Sequence, residues 1–140
     1  MSLMSNLMRY LLDTNVIITY LNNRSTAIRG RLQQIPVQDI CVCSVVKSEL
    51  FYGANKSNNP VKTLSKQKEF LSEFVSLPFD DRSAEVYGSI RADLERKGTP
   101  IGAYDLQIAA IAISHNLTLV THNTREFARI DRLNHEDWDA

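Results

Sequence analysis

The chain has 140 residues, and its sixteen Lys and Arg balance its sixteen Asp and Glu for a formal net charge of zero. That balance argues against a general nucleic-acid coat, since such domains carry a pI above about 9. No apolar run approaches the ~20 residues that span a bilayer, and no charged segment followed by an apolar core opens the chain, so a soluble, cytoplasmic protein is expected.

This length suits one domain that buries roughly two-thirds of the surface its unfolded chain exposes. Residues 1–7 carry no pattern and read as a disordered or cloning-derived tail, which leaves 8–138 as the domain. Residues 8–12 are mostly apolar without alternation, as expected of a strand covered on both faces. Thr14 or Asn15 can cap a helix through Leu21, and Ser25 or Thr26 a second one that ends at Pro36. Ile40 to Cys43 is the next strand. Cys41 and Cys43, two apart, point the same way there and read as small buried hydrophobes in a reducing compartment.

Ser44 is a good N-cap for a helix to about Asn55, with Glu49 about one turn inside. Gly53 follows one turn later; a helical glycine costs about 1 kcal/mol relative to alanine, which suggests the close approach of another backbone. After a loop to Pro60, the spacing of Val61, Leu64, Leu71 and Phe74 predicts a helix. Leu77 to Phe79 is a short strand candidate, and Asp80 or Asp81 caps a helix that faces inward through Ala84, Tyr87, Ile90 and Leu94 and stops at Gly98. Ala103 to His115 is apolar on nearly every side, the mark of a helix buried all round or covered by a partner. Leu117 to Thr121 is a strand, Asn123 and Thr124 begin a turn or short helix, and Leu133 to Trp138 closes an edge. Strand and helix alternate throughout, so the fold class is α/β: a parallel sheet sandwiched by helices.

Four polar residues fall at equivalent junctions. Asp13 ends the first strand, Glu49 lies early in the helix after the second, Asp105 opens the most apolar helix, and Asn123 follows the last good strand. Singly, each has an ordinary explanation, because Asp and Asn are common caps and a lone Glu usually faces solvent. Together they occupy the carboxyl edge of one sheet, where ligands of α/β proteins bind. Three carboxylates packed there without a cation raise one another's pKa, and a hard divalent ion resolves the conflict. Mg2+ and Mn2+ favour oxygen ligands and can activate water for phosphodiester hydrolysis. Asp13, Glu49 and Asp105 are the candidate metal ligands, and Asn123 a neutral oxygen donor or water-positioning group. Thr14, Ser44 and Thr121 are candidate supporting hydroxyls, with Asn15 beside them, while Lys47 and Arg125 can meet substrate phosphate or belong to the solvated surface.

The segments Leu11-Leu-Asp13-Thr-Asn15, Ser48-Glu49-Leu-Phe-Tyr-Gly53, Ile101-Gly-Ala-Tyr-Asp105-Leu-Gln-Ile-Ala-Ala110 and Leu119-Val-Thr-His-Asn-Thr-Arg-Glu-Phe127 resemble, in order, the four motifs of PIN-domain nucleases, and most of all the VapC toxins of bacterial toxin–antitoxin pairs. Glu136-Asp-Trp138 fits the same group. The resemblance implies a PIN-like three-layer sandwich with about five parallel strands and a Mg2+- or Mn2+-dependent endoribonuclease. It also implies a homodimer, neutralised by a cognate antitoxin that covers the active site. Asp13, Glu49 and Asp105 match the family's acidic triad, and Asn123 stands where aspartate is frequent, which weakens the case for a second tightly bound metal. Two other readings remain: a non-catalytic PIN-like interaction module, and an Asp-nucleophile phosphatase of the haloacid-dehalogenase type. The latter wants a second acid two residues after Asp13, where this chain has Asn15.

Overall fold

The first strand, β1 (Tyr10–Leu12), is buried at every position, as its unalternating apolar run requires. The computed structural model, which describes residues 8–139, continues with α1 (Thr14–Leu21), α2 (Thr26–Gln34), β2 (Ile40–Cys43), α3 (Ser44–Asn55), α4 (Pro60–Leu71) and β3 (Val75–Leu77). The second half is α5 (Asp81–Arg96), α6 (Ala103–Ser114), β4 (Thr118–Val120), α7 (Thr124–Phe127) and β5 (Asn134–Glu136). The expected tail at 1–7 lies outside the described residues.

Every strand pairing is parallel, in the order β3-β2-β1-β4-β5. The chain therefore steps outward from β1 to one edge, then returns to the far side of β1 to lay down β4 and β5. Right-handed crossovers put the helices of the first half on one face and those of the second half on the other, giving the three-layer sandwich. The direction of winding reverses between β1 and β4. Beyond the carboxyl ends of those two strands the connections diverge to opposite faces and leave a crevice.

The core follows from the apolar runs. All four residues of β2 are buried, including both free cysteines. In α6, Leu106 and the run from Ile108 to Ala112 are buried, so this helix is enclosed within the domain itself. It packs mainly on α5, where the buried hydroxyls of Ser83 and Ser114 pair at 3.1 Å. Each fully buried Leu or Ile contributes about 1.5–3 kcal/mol relative to exposure. At the carboxyl terminus Trp138 packs edge-on against Tyr10, ring centroids 5.2 Å apart. Its Nε1 donates to Glu136 Oε1 at 3.0 Å, which ties the end of the chain to the edge strand.

Ser25 caps α2 and Asp80 caps α5, as expected, each side chain accepting from a backbone amide. Gly98 ends α5 with φ of +71°, a conformation that only glycine adopts without strain. Four local expectations are corrected. Asp13 itself, rather than Thr14 or Asn15, caps α1. Cys43 rather than Ser44 stands at the cap position of α3, with no side-chain capping bond. The third strand is Val75–Leu77 rather than Leu77 to Phe79, because Pro78 has no N–H for the ladder. Gly53 meets no close backbone, since a Cβ built there has nothing within 4 Å.

Candidate active site at the carboxyl edge of the sheet

Asp13 is delivered by β1, whose ladder continues through the Asp13 amide to Val120 O at 2.9 Å. Its side chain folds back over the start of α1, where Oδ1 accepts from the Thr14 amide at 2.8 Å. Its other oxygen, Oδ2, accepts from Thr121 Oγ1 at 2.7 Å. Thr121 lies just past β4 and is wholly buried, so one strand supplies the acid and its neighbour the hydroxyl that fixes it. The same Oγ1 accepts from the Asn123 amide at 3.0 Å, and Asn123 Nδ2 donates to Glu126 Oε2 at 2.6 Å. On the other side, Thr14 Oγ1 donates to Glu49 Oε1 at 2.6 Å. One continuous chain of hydrogen bonds thus runs from Glu49 through Thr14, Asp13, Thr121 and Asn123 to Glu126.

Asp105 sits in the first turn of α6, where the helix dipole favours a carboxylate, yet its pKa is pushed up to about 6. Burial is the largest cause, followed by the charges of Asp13, Glu126 and Glu49. The Asp13 carboxyl is likewise held above its ordinary range, first by burial, against the lowering effect of the Thr121 and Thr14 bonds, with Glu49 adding a further upward push. Acids from α1's cap, α3, α6 and α7 therefore feel one another across the crevice.

Sequence reasoning placed Asp13, Glu49 and Asp105 together, and the structure brings them into electrostatic contact. It missed Glu126, whose position one helical turn after Asn123 is the signal that could have found it. Thr14 and Thr121 act as the supporting hydroxyls expected of them. Among the described residues, no hydrogen bond or ion pair links Asn15, Ser44, Lys47 or Arg125 to the acids. Asn15 and Ser44 are exposed. Asn123 works mainly as a bridge, its amide nitrogen engaged by Glu126.

Among the described residues, no three Asp, Glu, His or Cys side chains form a ready-made metal cage. The donors that do converge are all oxygens, and their mutual repulsion falls on Asp105. That set of oxygen donors fits a hard divalent cation.

A doubly wound parallel sheet with acids gathered at its switch point is an α/β domain with a ligand site at its carboxyl edge. The family model for the PIN domain matches residues 10–133, and the chain belongs to the PIN-domain family. It is 41% identical over 132 residues to the tRNA(fMet)-specific endonuclease VapC of Salmonella typhimurium, across 94% of this chain and 99% of that relative. Ribonuclease VapC2 of Haemophilus influenzae is 38% identical over the same shares of the two chains. In structure the chain is similar to DNA-bound VapBC from Salmonella typhimurium, with a TM-score of 0.89 and 41% identity over 94% of this chain and 98% of that one. VapBC2 from Rickettsia felis bound to a promoter DNA fragment gives 0.88 and 38% over 94% and 100%.

Proposed function

We propose that the chain is a divalent-metal-dependent endoribonuclease and the toxin of a toxin–antitoxin pair. The observation that carries this reading is the gathering of Asp13, Glu49, Asp105 and Glu126 at one crevice, tied together through Thr14, Thr121 and Asn123, with the Asp105 carboxyl raised by burial and by its neighbours' charges. Such crowding costs the metal-free protein stability, and a cation among these oxygens reverses the cost. Asp13, Glu49 and Asp105 would hold Mg2+ or Mn2+, with Glu126 beside them as a further oxygen donor. Bound there, the ion acidifies a water and neutralises the charge that develops on a phosphodiester under attack.

The chain's own residues supply the positioning. Thr121 and the Thr14 amide fix both oxygens of Asp13, so the carboxylate is oriented before any ion arrives. Thr14 Oγ1 anchors Glu49, and Asn123 holds Glu126 by a neutral donor, which keeps a further charge out of the crevice. Lys47 and Arg125, free of ion pairs among the described residues, are suited to RNA phosphate at the rim.

The names of the relatives support the reaction class, and their description as VapBC supports an antitoxin protein as partner of this chain. A second copy of the chain is the other partner we expect, read by light scattering. Among the described residues no helix is long and apolar enough to cross a membrane. The purified protein should cleave RNA in Mg2+ or Mn2+, stop in EDTA, and lose at least about a hundredfold in rate in Asp13→Asn and Asp105→Asn. Equal cleavage by wild type and both variants would assign the activity to a contaminant. Absence of divalent binding at millimolar metal would favour the non-catalytic interaction module instead.

A further inference from the structure

We propose that the groove between α1, α3 and α4 is a nucleobase subsite, which takes the base of a nucleotide next to the cleaved phosphate and reads a hydrogen-bond donor on its edge through Gln67. This rests on the ribonuclease reading above and extends it to sequence preference.

The groove has a volume of about 320 Å³ and is lined by Glu49, Leu50, Gly53, Lys62, Lys66 and Gln67 among others. That size lies within the range of small-ligand pockets. Glu49 also lines the neighbouring cleft with Thr14, Tyr52 and Tyr104, so the groove opens directly from the acid site. An RNA phosphate placed beside Glu49 would bring a neighbouring nucleotide to the mouth of this groove.

Its chemistry fits a base. Gln67 is only 6% exposed, and its Oε1 has no hydrogen-bond partner, a condition shared among the described side chains only by His115 Nε2. A buried carbonyl without a donor is costly, and rotation about the soft terminal torsion exchanges that oxygen with Nε2, so the amide can bring its acceptor to a ligand in the groove. Leu50, with the neighbouring Ile18 and Leu21, supplies apolar wall for the faces of a flat ring. At Gly53 a Cβ would meet nothing within 4 Å, so the glycine leaves open the space that a side chain would fill. Lys62 and Lys66 bring positive charge to the α4 side; Lys66 Nζ also donates to Leu21 O at 3.2 Å, which fixes it beside the groove. Apolar walls, one unpaired acceptor and two cations match a base with its phosphate. Single-stranded RNA is read in this way, by splayed-out bases whose edges are hydrogen-bonded.

The test uses a synthetic hairpin RNA that carries the main cleavage site mapped on total cellular RNA. Single abasic nucleotides are placed in turn along it, and Gln67→Leu and Gly53→Leu are compared with wild type. We expect one abasic position beside the cleaved bond to lower wild-type kcat/KM about tenfold. In Gln67→Leu that penalty should shrink toward one and the base preference at the position should relax. Gly53→Leu, which fills the groove from a helix that accepts leucine readily, should lower kcat/KM on intact RNA more than on the abasic RNA. Thermal melts check that both variants fold, and the abasic scan on wild type stands without them. Uniform insensitivity to abasic sites, or an unchanged penalty in both variants, would overturn the subsite while leaving the ribonuclease reading intact. So would variants that keep wild-type cleavage preference but escape inhibition by the cognate antitoxin, which would assign the groove to the antitoxin peptide. Failure of wild type to cut any RNA in Mg2+ or Mn2+ would instead remove the ribonuclease reading itself.

Discussion

Thr121 and Asp13 stand 108 residues apart in sequence, and the hydroxyl of one donates to the carboxylate of the other at 2.7 Å. The bond joins the ends of β4 and β1, the two strands between which the winding of the sheet reverses. It is therefore a fastening of the fold and a support of the candidate metal ligand at once.

Thr121→Val keeps the shape and removes the donor, leaving a buried carboxylate with one partner fewer. A hydrogen bond to a charged group contributes about 1.5–3 kcal/mol, so urea unfolding should show a loss of that order. Loss of such a supporting contact lowers metal affinity about 10- to 100-fold, which calorimetric Mn2+ titration would read. Thr121→Ser retains the hydroxyl and should recover most of both. If Val and Ser variants bind Mn2+ alike, the hydroxyl has no part in orienting Asp13.

Asn123 and Glu126 give a second test. Asn123 Nδ2 donates to Glu126 Oε2 at 2.6 Å, and Asn123→Asp replaces that donor by a carboxylate facing a carboxylate. The metal-free variant should melt about 2–6 °C lower than wild type, and millimolar Mg2+ should restore more of the loss than it adds to wild type. A variant as stable as wild type in EDTA would mean that Asn123 tolerates a further charge and that its bridge contributes little.

The cysteines make a simpler prediction. Cys41 and Cys43 are both wholly buried, and burial pushes their thiols up to about 12 and about 11. The thiolate is the reactive form, so at neutral pH neither should react with a thiol reagent in the folded protein, and both should react in denaturant. Fast modification of the native protein would contradict the packing of β2.

Much of this was legible because the signals were local. The apolar runs that begin at Met8, Ile40 and Leu117 became strands, and Ser25 and Asp80 capped the helices that their positions suggested. Of the three acids only Asp13 directly follows a strand, while Glu49 and Asp105 reach it from α3 and α6. What was not legible depended on neighbours remote in sequence. Glu126 was not singled out at all, and its approach to Asp105 depends on the fold. Gly53 obeyed a sound rule about helical glycines, yet the space beside it is set by α1 and α4. Ser44 and Asn15 adjoin the right residues in sequence but make no hydrogen bond to the acids.

Asp105 carries the last prediction. Its folded pKa of about 6 stands above the ordinary 3.8, so the folded state binds this proton more tightly than the unfolded chain does. Its contribution to stability is fully present below pH ~3.8 and is lost as pH rises through about 6. In EDTA, the melting temperature of wild type relative to Asp105→Asn should therefore fall between about pH 4 and pH 6 and stay low above that. The Asn variant, which removes the crowded charge, should be the more stable of the two at pH 8, by about 2–4 °C. Adding Mg2+ should raise wild type at pH 8, where the carboxylate is ionised, and do little at pH 5, where the proton already occupies it. A difference curve that is flat with pH, or a Mg2+ effect equal at both pH values, would show that the charges of Asp13, Glu49 and Glu126 do not converge on Asp105 as described.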